Sequence, residues 1–356
     1  MAPVRFGRGG AEDRSDKASR RRTARHVWRE KKRSHTTARE RVAGGDVREL
    51  GRQITGVVSG VHKSRCTVTD ELGDEFSCVW TRAALGEGIE TPVVGDRVSA
   101  GVAADGTGVL ARIEPRCGRL ARMRLVNSDR FAPVGEEHVL AANVDVAVIV
   151  VAAVSPPFHP RLIDRYLVLC RHGGIEPLLC LNKADLADEL PDLSPWERLG
   201  VETLTTSATT GAGIEGLRGR LRSKWAVLTG ASGVGKSSLL NALTARFEPG
   251  SVSEPAATAE VSAATGRGRH RTSASSLIRL GEDTVIIDTP GIRSLSVWQI
   301  ERESLRLYFP EFDAVTLACR FNDCLHVSEP DCGVRAGLEN GEVSGERYES
   351  YLRMLE

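Results

Sequence analysis

The 356-residue chain predicts an α/β fold centred on a phosphate-binding loop, with a small β-barrel before it and a metal-organised helical segment after it. Three observations carry this expectation. Gly230-Ala231-Ser232-Gly233-Val234-Gly235-Lys236-Ser237 lies between the apolar run Trp225–Leu228 and a helical pattern that opens at Ser238. Five short, nearly alternating segments occupy residues 52–116. Cys319, Cys324, His326 and Cys332 fall within 14 positions near the C-terminus.

Residues 1–50 hold 15 Lys and Arg against 7 Asp and Glu, a charge of +8, whereas the other 306 residues hold 33 against 40 and carry −7. This arm is poor in apolar residues and is expected to be disordered, apart from a short helix around Arg25–Arg41. A basic arm suits nucleic acid or is a solvated tail, and its composition leaves both open. The charged N-terminus lacks the apolar stretch of a secretory signal. The longest apolar run, Val144–Val154, contains Asp145 and is too short to span a bilayer. Cys66, Cys78, Cys117, Cys170 and Cys180 are scattered, as reduced thiols would be. The expectation is a cytoplasmic protein with no membrane partner.

Residues 51–118 are expected to form the barrel, of which the OB-fold is one kind. Its strands are Ile54–Val58, Cys66–Thr69, Phe76–Trp80, Arg97–Ser99 and Gly108–Ile113, separated by Gly, Asp and Pro. Its aromatics are chiefly Phe76 and Trp80, so phosphate and shape contacts to folded RNA suit it better than base stacking. A packing module without a ligand is the alternative. The connector carries Arg112, Arg116, Arg119, Arg122 and Arg124, which form either a solvated face or phosphate contacts.

Residues 119–293 read as the α/β domain. Val144–Ala153 is a buried parallel strand, Pro160–His172 a helix, Pro177–Leu181 and Val201–Thr206 strands, and Gly213–Leu221 a helix leading to the glycine loop. Strands Ser276–Leu280 and Thr284–Ile287 follow a long loop over 249–275, a length that points to function or mobility. Residues 294–356 read as helices around the Cys/His cluster.

Glycines let the backbone of Gly230–Ser237 wrap a phosphate with several N–H groups turned inward, backed by the N-terminus of the helix that opens with Ser238. Lys236 can reach the β- and γ-phosphates, and the Ser237 hydroxyl can serve Mg²⁺. Asn182-Lys183-Ala184-Asp185 has the N-K-x-D form at a strand's C-terminal end. An ionised Asp185 only accepts hydrogen bonds, so it selects guanine, which offers adjacent N1–H and N2–H donors. Ser207-Ala208 follows the next strand, where the Ala208 N–H can meet guanine O6. Asp288-Thr289-Pro290-Gly291 ends an apolar strand, with Asp288 for the Mg²⁺ shell and the Gly291 N–H for the γ-phosphate. Ile292 occupies the place of a water-orienting Gln and cannot polarise water. His270, in the long loop, is the candidate replacement, an exposed loop histidine being the alternative. The base-reading motifs precede the phosphate loop in sequence, the reverse of the ordinary order, which implies a circular permutation. The Cys319, Cys324, His326 and Cys332 set fits tetrahedral structural Zn²⁺, in preference to a disulfide with a leftover thiol.

These residues resemble the circularly permuted, ribosome small-subunit-dependent GTPases of bacteria, over about residues 52–356. The similar stretches include Ala141–Asp145, Leu162–Leu167, Leu181–Leu186, the phosphate loop, Gly268-Arg269-His270, Asp288–Gly291, Cys319–His326 and Glu346–Leu352. The resemblance implies an OB-fold barrel, a permuted GTPase domain and a zinc domain. It implies late maturation of the 30S subunit, rRNA contacts from the outer domains and subunit-stimulated hydrolysis of GTP to GDP. A monomer is expected. Two departures stand out. The family usually reads His-Thr-Thr-Thr where this chain has His270-Arg271-Thr272-Ser273, leaving Thr272 as the Mg²⁺-sensing residue. It often has Gly where this chain has Asp331, which should alter the shape of the zinc loop but not ligation. The rival readings are an RNA-binding scaffold that keeps GTP for folding alone, and a partner-linked GTPase switch.

Overall fold

The computed structural model describes residues 51–62, 64–85, 91–126, 134–244, 276–281, 283–288 and 300–356. The basic arm and its expected helix, the loop over 249–275 and residues 289–299 lie outside the described residues.

Strands β1 (Arg52–His62), β2 (Arg65–Asp70), β3 (Glu75–Val79), β4 (Arg97–Val102) and β5 (Thr107–Ile113) make the expected barrel. β1 pairs with both β2 and β4, and β5 sits between β3 and β4, so the ring closes. Alternation turns Ile54, Val58, Val68, Val98, Ala100 and Leu110 into one core. Phe76 and Trp80 pack against that core. Both remain partly exposed.

The basic connector is a different object from the one expected. Arg112 lies in β5, and Arg119, Arg122 and Arg124 lie in β6 (Arg119–Val126), which pairs with β7 (Val134–Ala142) as a separate two-stranded sheet. Arg116 is not free for phosphate: its Nε and Nη2 donate to the two oxygens of fully buried Asp96, at 2.7 and 2.9 Å. Removing either partner would strand a buried charge, at a cost of about 3–5 kcal/mol. At the junction with the α/β unit, Asn143 adopts φ 54 and bridges both sides. Its Nδ2 donates to the Gly95 carbonyl at 2.9 Å, and its Oδ1 accepts from the Cys117 N–H at 3.1 Å.

The α/β unit contains β8 (Val146–Ala152), β9 (Glu176–Asn182), β10 (Glu202–Thr205), β11 (Trp225–Thr229), β12 (Ser276–Arg279) and β13 (Val285–Asp288). Their order is β10-β9-β8-β11-β13-β12, parallel except for β12. Ser276 also pairs with Gly60, so the barrel continues the sheet. α2 (Pro160–His172) covers one face, and α4 (Ile214–Leu221) and α5 (Lys236–Thr244) the other. The short α1 (Arg82–Leu85) belongs to the barrel, and α3 (Ser194–Glu197) follows β9. All of β8 is buried because both faces are covered: Ile149 and Val151 face the α2 side, Val148 and Val150 the other.

The C-terminal unit comprises α6 (Arg302–Leu305), α7 (Asp313–Thr316), α8 (Gly333–Glu339) and α9 (Gly345–Leu355). Phe309 stacks on Phe312 at 5.3 Å, and Tyr351 meets Phe312 edge-on at 5.1 Å. This unit docks on the outer face of α2, where Arg161, Asp164, Val168 and Arg171 recur at helical spacing. Val168 enters the C-terminal core, Arg161 pairs with Glu349 at 2.7 Å, and Arg171 donates to the Tyr308 carbonyl at 2.8 Å. Buried Arg347 pairs with buried Asp164 at 2.5 Å and, through Nε, with Glu311 at 2.6 Å.

Candidate functional site

β8 and β11 are neighbours whose connections run to opposite sides of the sheet, which makes the crevice between their C-terminal ends the expected ligand site of an open α/β sheet. The loops singled out from sequence leave at this edge. Register pairs Ala152 with Asn182 and Leu181 with Thr205, and places Ile287 beside Val227.

The phosphate loop connects β11 to α5. Gly230, Gly233 and Gly235 have φ of 141, 82 and 98, conformations that favour glycine. A Cβ on Gly235 would lie 2.3 Å from Asn182 Nδ2, and one on Gly230 would lie 2.2 Å from the Val150 carbonyl. Within the loop Ala231 is half-buried, Ser232 exposed, and Val234 buried as its apolar anchor. Lys236 Nζ donates to the Gly230 and Ala231 carbonyls at 2.8 and 2.6 Å, so the ammonium caps the loop. Ser237 and Ser238 lie exposed in the first turn of α5, where helix N–H groups and hydroxyls can meet an anion.

Asn182 ties three loops together. This buried side chain donates through Nδ2 to the Val234 carbonyl at 2.9 Å. Its Oδ1 accepts from the Ala208 N–H at 3.2 Å and the Thr206 hydroxyl at 3.3 Å. Asn182 thus braces the site, and the Ala208 N–H assigned to guanine O6 points instead at Asn182. Ser207 is buried and shapes its own turn, with its hydroxyl accepting from the Thr210 N–H at 3.1 Å. Lys183 adopts φ 61 and reaches over to the Ser155 carbonyl. Ala184 and Asp185 begin a 3₁₀ turn, Ala184–Leu186. Asp185 is exposed and accepts no hydrogen bond from the described residues, which leaves its carboxylate for a ligand.

Asp288 ends β13 with its backbone paired to Ser276, at the edge where the phosphate loop emerges. His270, Thr272, Gly291 and Ile292 lie outside the described residues.

The second constellation gathers as expected. The ligand atoms of Cys319, Cys324, His326 and Cys332 lie within 4.8 Å of one another. His326 Nδ1 stands 3.6 Å from Cys319 Sγ and 3.5 Å from Cys332 Sγ. A tetrahedral ion with Zn–N of about 2.0 Å and Zn–S of about 2.3 Å has an N···S edge of about 3.5 Å, so the donors fit zinc. Burial lowers the His326 pKa and pushes the Cys324 thiol up to about 12, so without metal these donors are neutral. The Gly333 N–H donates to Cys319 Sγ at 3.3 Å, and the Tyr348 hydroxyl to the His326 carbonyl at 2.6 Å. Glu329 accepts from the Leu325, Val327 and Ser328 N–H groups; these bonds outweigh a desolvation that alone would raise its pKa and hold it at about 2.

Asp331, where the family often has Gly, lies next to the ligand Cys332. Asp331 adopts φ 54, a left-handed backbone open to glycine and tolerated by aspartate. Its side chain pairs with Arg320 at 3.3 Å.

Sequence reasoning passed over the Asp164–Arg347 pair, although both stretches were recognised, because residues 183 positions apart carry no local pattern. It also missed Trp196, whose Nε1–H donates to Asp164 Oδ1 at 2.9 Å.

Base-reading loops that precede the phosphate loop in sequence, on a five-parallel-plus-one sheet, define a circularly permuted P-loop GTPase. A profile of the RsgA GTPase family matches residues 114–298. The chain is 38% identical over 316 residues to the small ribosomal subunit biogenesis GTPase RsgA of Chlorobaculum parvum, across 86% of this chain and 99% of that relative. Its fold is similar to the crystal structure of YjeQ from Thermotoga maritima, with TM-score 0.63, 32% identity, and 85% and 98% of the two chains covered. It is also similar to YloQ, a circularly permuted GTPase, with TM-score 0.60, 26% identity, and 87% and 96% covered. The chain belongs to the RsgA GTPase family and is a GTP hydrolase. Among the described residues, no helix is long and apolar enough to cross a membrane.

Proposed function

We propose that this chain binds the small ribosomal subunit during its late assembly and hydrolyses GTP when correctly docked, working as a monomer in the cytoplasm. The observation that carries the reading is Asn182, which joins the loop for the base, the loop for the phosphates and the Ser207-Ala208 turn in one rigid crevice. In this reading Gly230–Ser238 hold the phosphates, and Asp185 accepts from guanine N1–H and N2–H. Mg²⁺ would neutralise phosphate charge, held by Ser237, Thr272 and Asp288. His270 orients the attacking water in place of the Gln that Ile292 replaces. Zinc on Cys319, Cys324, His326 and Cys332 supplies structure, not chemistry. We assign residues 51–118 to the barrel, 119–293 to the GTPase domain and 294–356 to the zinc domain, with the barrel and zinc domain meeting rRNA. The names carried by the relatives support the ribosomal partner.

Co-sedimentation tests the partner. The protein should pellet with purified 30S subunits in a non-hydrolysable GTP analogue and be released with GDP; equal pelleting in both would reject nucleotide-controlled binding. Alanine at His270, Arg269 or Arg271, assayed in single turnover with saturating 30S, tests the water-positioning role. His270→Ala should lose about 10²–10⁴ in rate at unchanged GTP affinity. Wild-type turnover in that variant, with loss in Arg271→Ala, would move the role to arginine.

A further inference from the structure

A series of contacts links the zinc domain to the loop beside the nucleotide crevice. It starts in the loop that joins β8 to α2. The Ser155 carbonyl of that loop accepts from Lys183 Nζ, and Pro156 Cδ lies 3.8 Å from where a Cβ on Gly233 would stand. This loop therefore lies beside the phosphate loop and holds the N-K-x-D lysine. Two residues on, Phe158 meets Trp196 edge-on at 5.8 Å. The Trp196 indole N–H bonds Asp164, and Asp164 pairs with Arg347 of the zinc domain. Arg347 lies over the Phe309 ring at 4.5 Å and is held on its other side by Glu311. Asp164, Trp196 and Arg347 are almost wholly buried, at 2%, 3% and 4% exposure.

A surface ion pair would let the zinc domain slide, but a buried, hydrogen-bonded one does not. Breaking it leaves an uncompensated charge, so the pair favours one docking position of α2 against the C-terminal core. α2 is packed against the sheet core on one side and the C-terminal core on the other, and half-buried Phe158 ties its leading loop to Trp196, so displacement at Asp164 reaches Ser155 and Pro156 through the helix and that ring pair.

We propose that Asp164, Trp196 and Arg347 are positioning residues for the nucleotide site, through which the zinc domain sets the geometry of the phosphate and base loops. The proposal rests on the reading of that crevice as the GTP site. It gives the zinc domain a route to the nucleotide through α2.

The test uses the full-length, zinc-loaded protein and a fluorescent GDP analogue. Trp196→Phe removes the indole N–H and keeps an aromatic ring beside Phe158. The double variant Asp164→Asn with Arg347→Met neutralises the pair at similar volume. Zinc content and Tm are measured alongside. Both variants should keep stoichiometric zinc and release the analogue about threefold to thirtyfold faster than wild type, within the range expected of residues that modulate coupling without touching a ligand. A purely structural pair would lower Tm and leave the release rate within twofold of wild type, and that result would overturn the proposal. If the double variant fails to fold, Trp196→Phe alone decides. Wild-type protein that does not bind the analogue would refute the GTP-site reading itself, a different outcome from unchanged release.

Discussion

Asp185 stands exposed at the end of β9, unpartnered among the described residues, while its neighbour Asn182 is consumed by the fold. The two polar members of one tetrapeptide thus have opposite tasks. Asp185→Asn replaces an acceptor pair with a mismatched donor, and hydrogen bonds to charged groups are worth about 1.5–3 kcal/mol each. GTP affinity should fall by at least about tenfold, with affinity gained for xanthosine nucleotides, which present an acceptor there. Isothermal titration with both nucleotides checks this, and unchanged GTP binding would remove Asp185 as the guanine reader. Asp331 makes a related point: an aspartate takes up the left-handed backbone that suits glycine.

At the scale of elements, the zinc loop depends on what its ligands hold together. Burial disfavours the charged forms of Cys324 and His326, and metal binding contributes folding free energy outright. Cys324→Ala should lose bound zinc and melt residues around 310–335, seen as new protease sites there, while nucleotide binding survives. Stoichiometric zinc in the variant, by atomic absorption, would show the ligand set to be wrong. The same scale shows what was legible in the sequence. The barrel strands, α2, the parallel strands and the four ligands follow from alternation, length and spacing, which are local signals. The β6–β7 hairpin was hidden because Arg119, Arg122 and Arg124 interrupt its apolar pattern. The Arg116–Asp96 pair was hidden because charge alone cannot separate a buried partner from a solvated one. Of the site, the phosphate and base loops were legible as motifs. Asn182's bracing of Val234 and Ala208 was not, since it spans 52 and 26 positions and exists only in the folded sheet.

For the whole molecule, a closed barrel, a permuted GTPase sheet and a zinc domain are joined by specific seams. Asn143 binds the barrel side, Ser276 pairs with Gly60, and α2 carries the C-terminal unit on its outer face. The strand that ends at Asp288 precedes the C-terminal unit in sequence, and α2 of the nucleotide-binding unit packs against that same unit. Such a protein should respond to an assembly that engages both outer units at once. The direct measurement is GTP hydrolysis by the full-length protein titrated with purified 30S subunits. The account predicts slow turnover of the free protein and a saturable rise with added subunits; a rate that stays flat across the titration would contradict it.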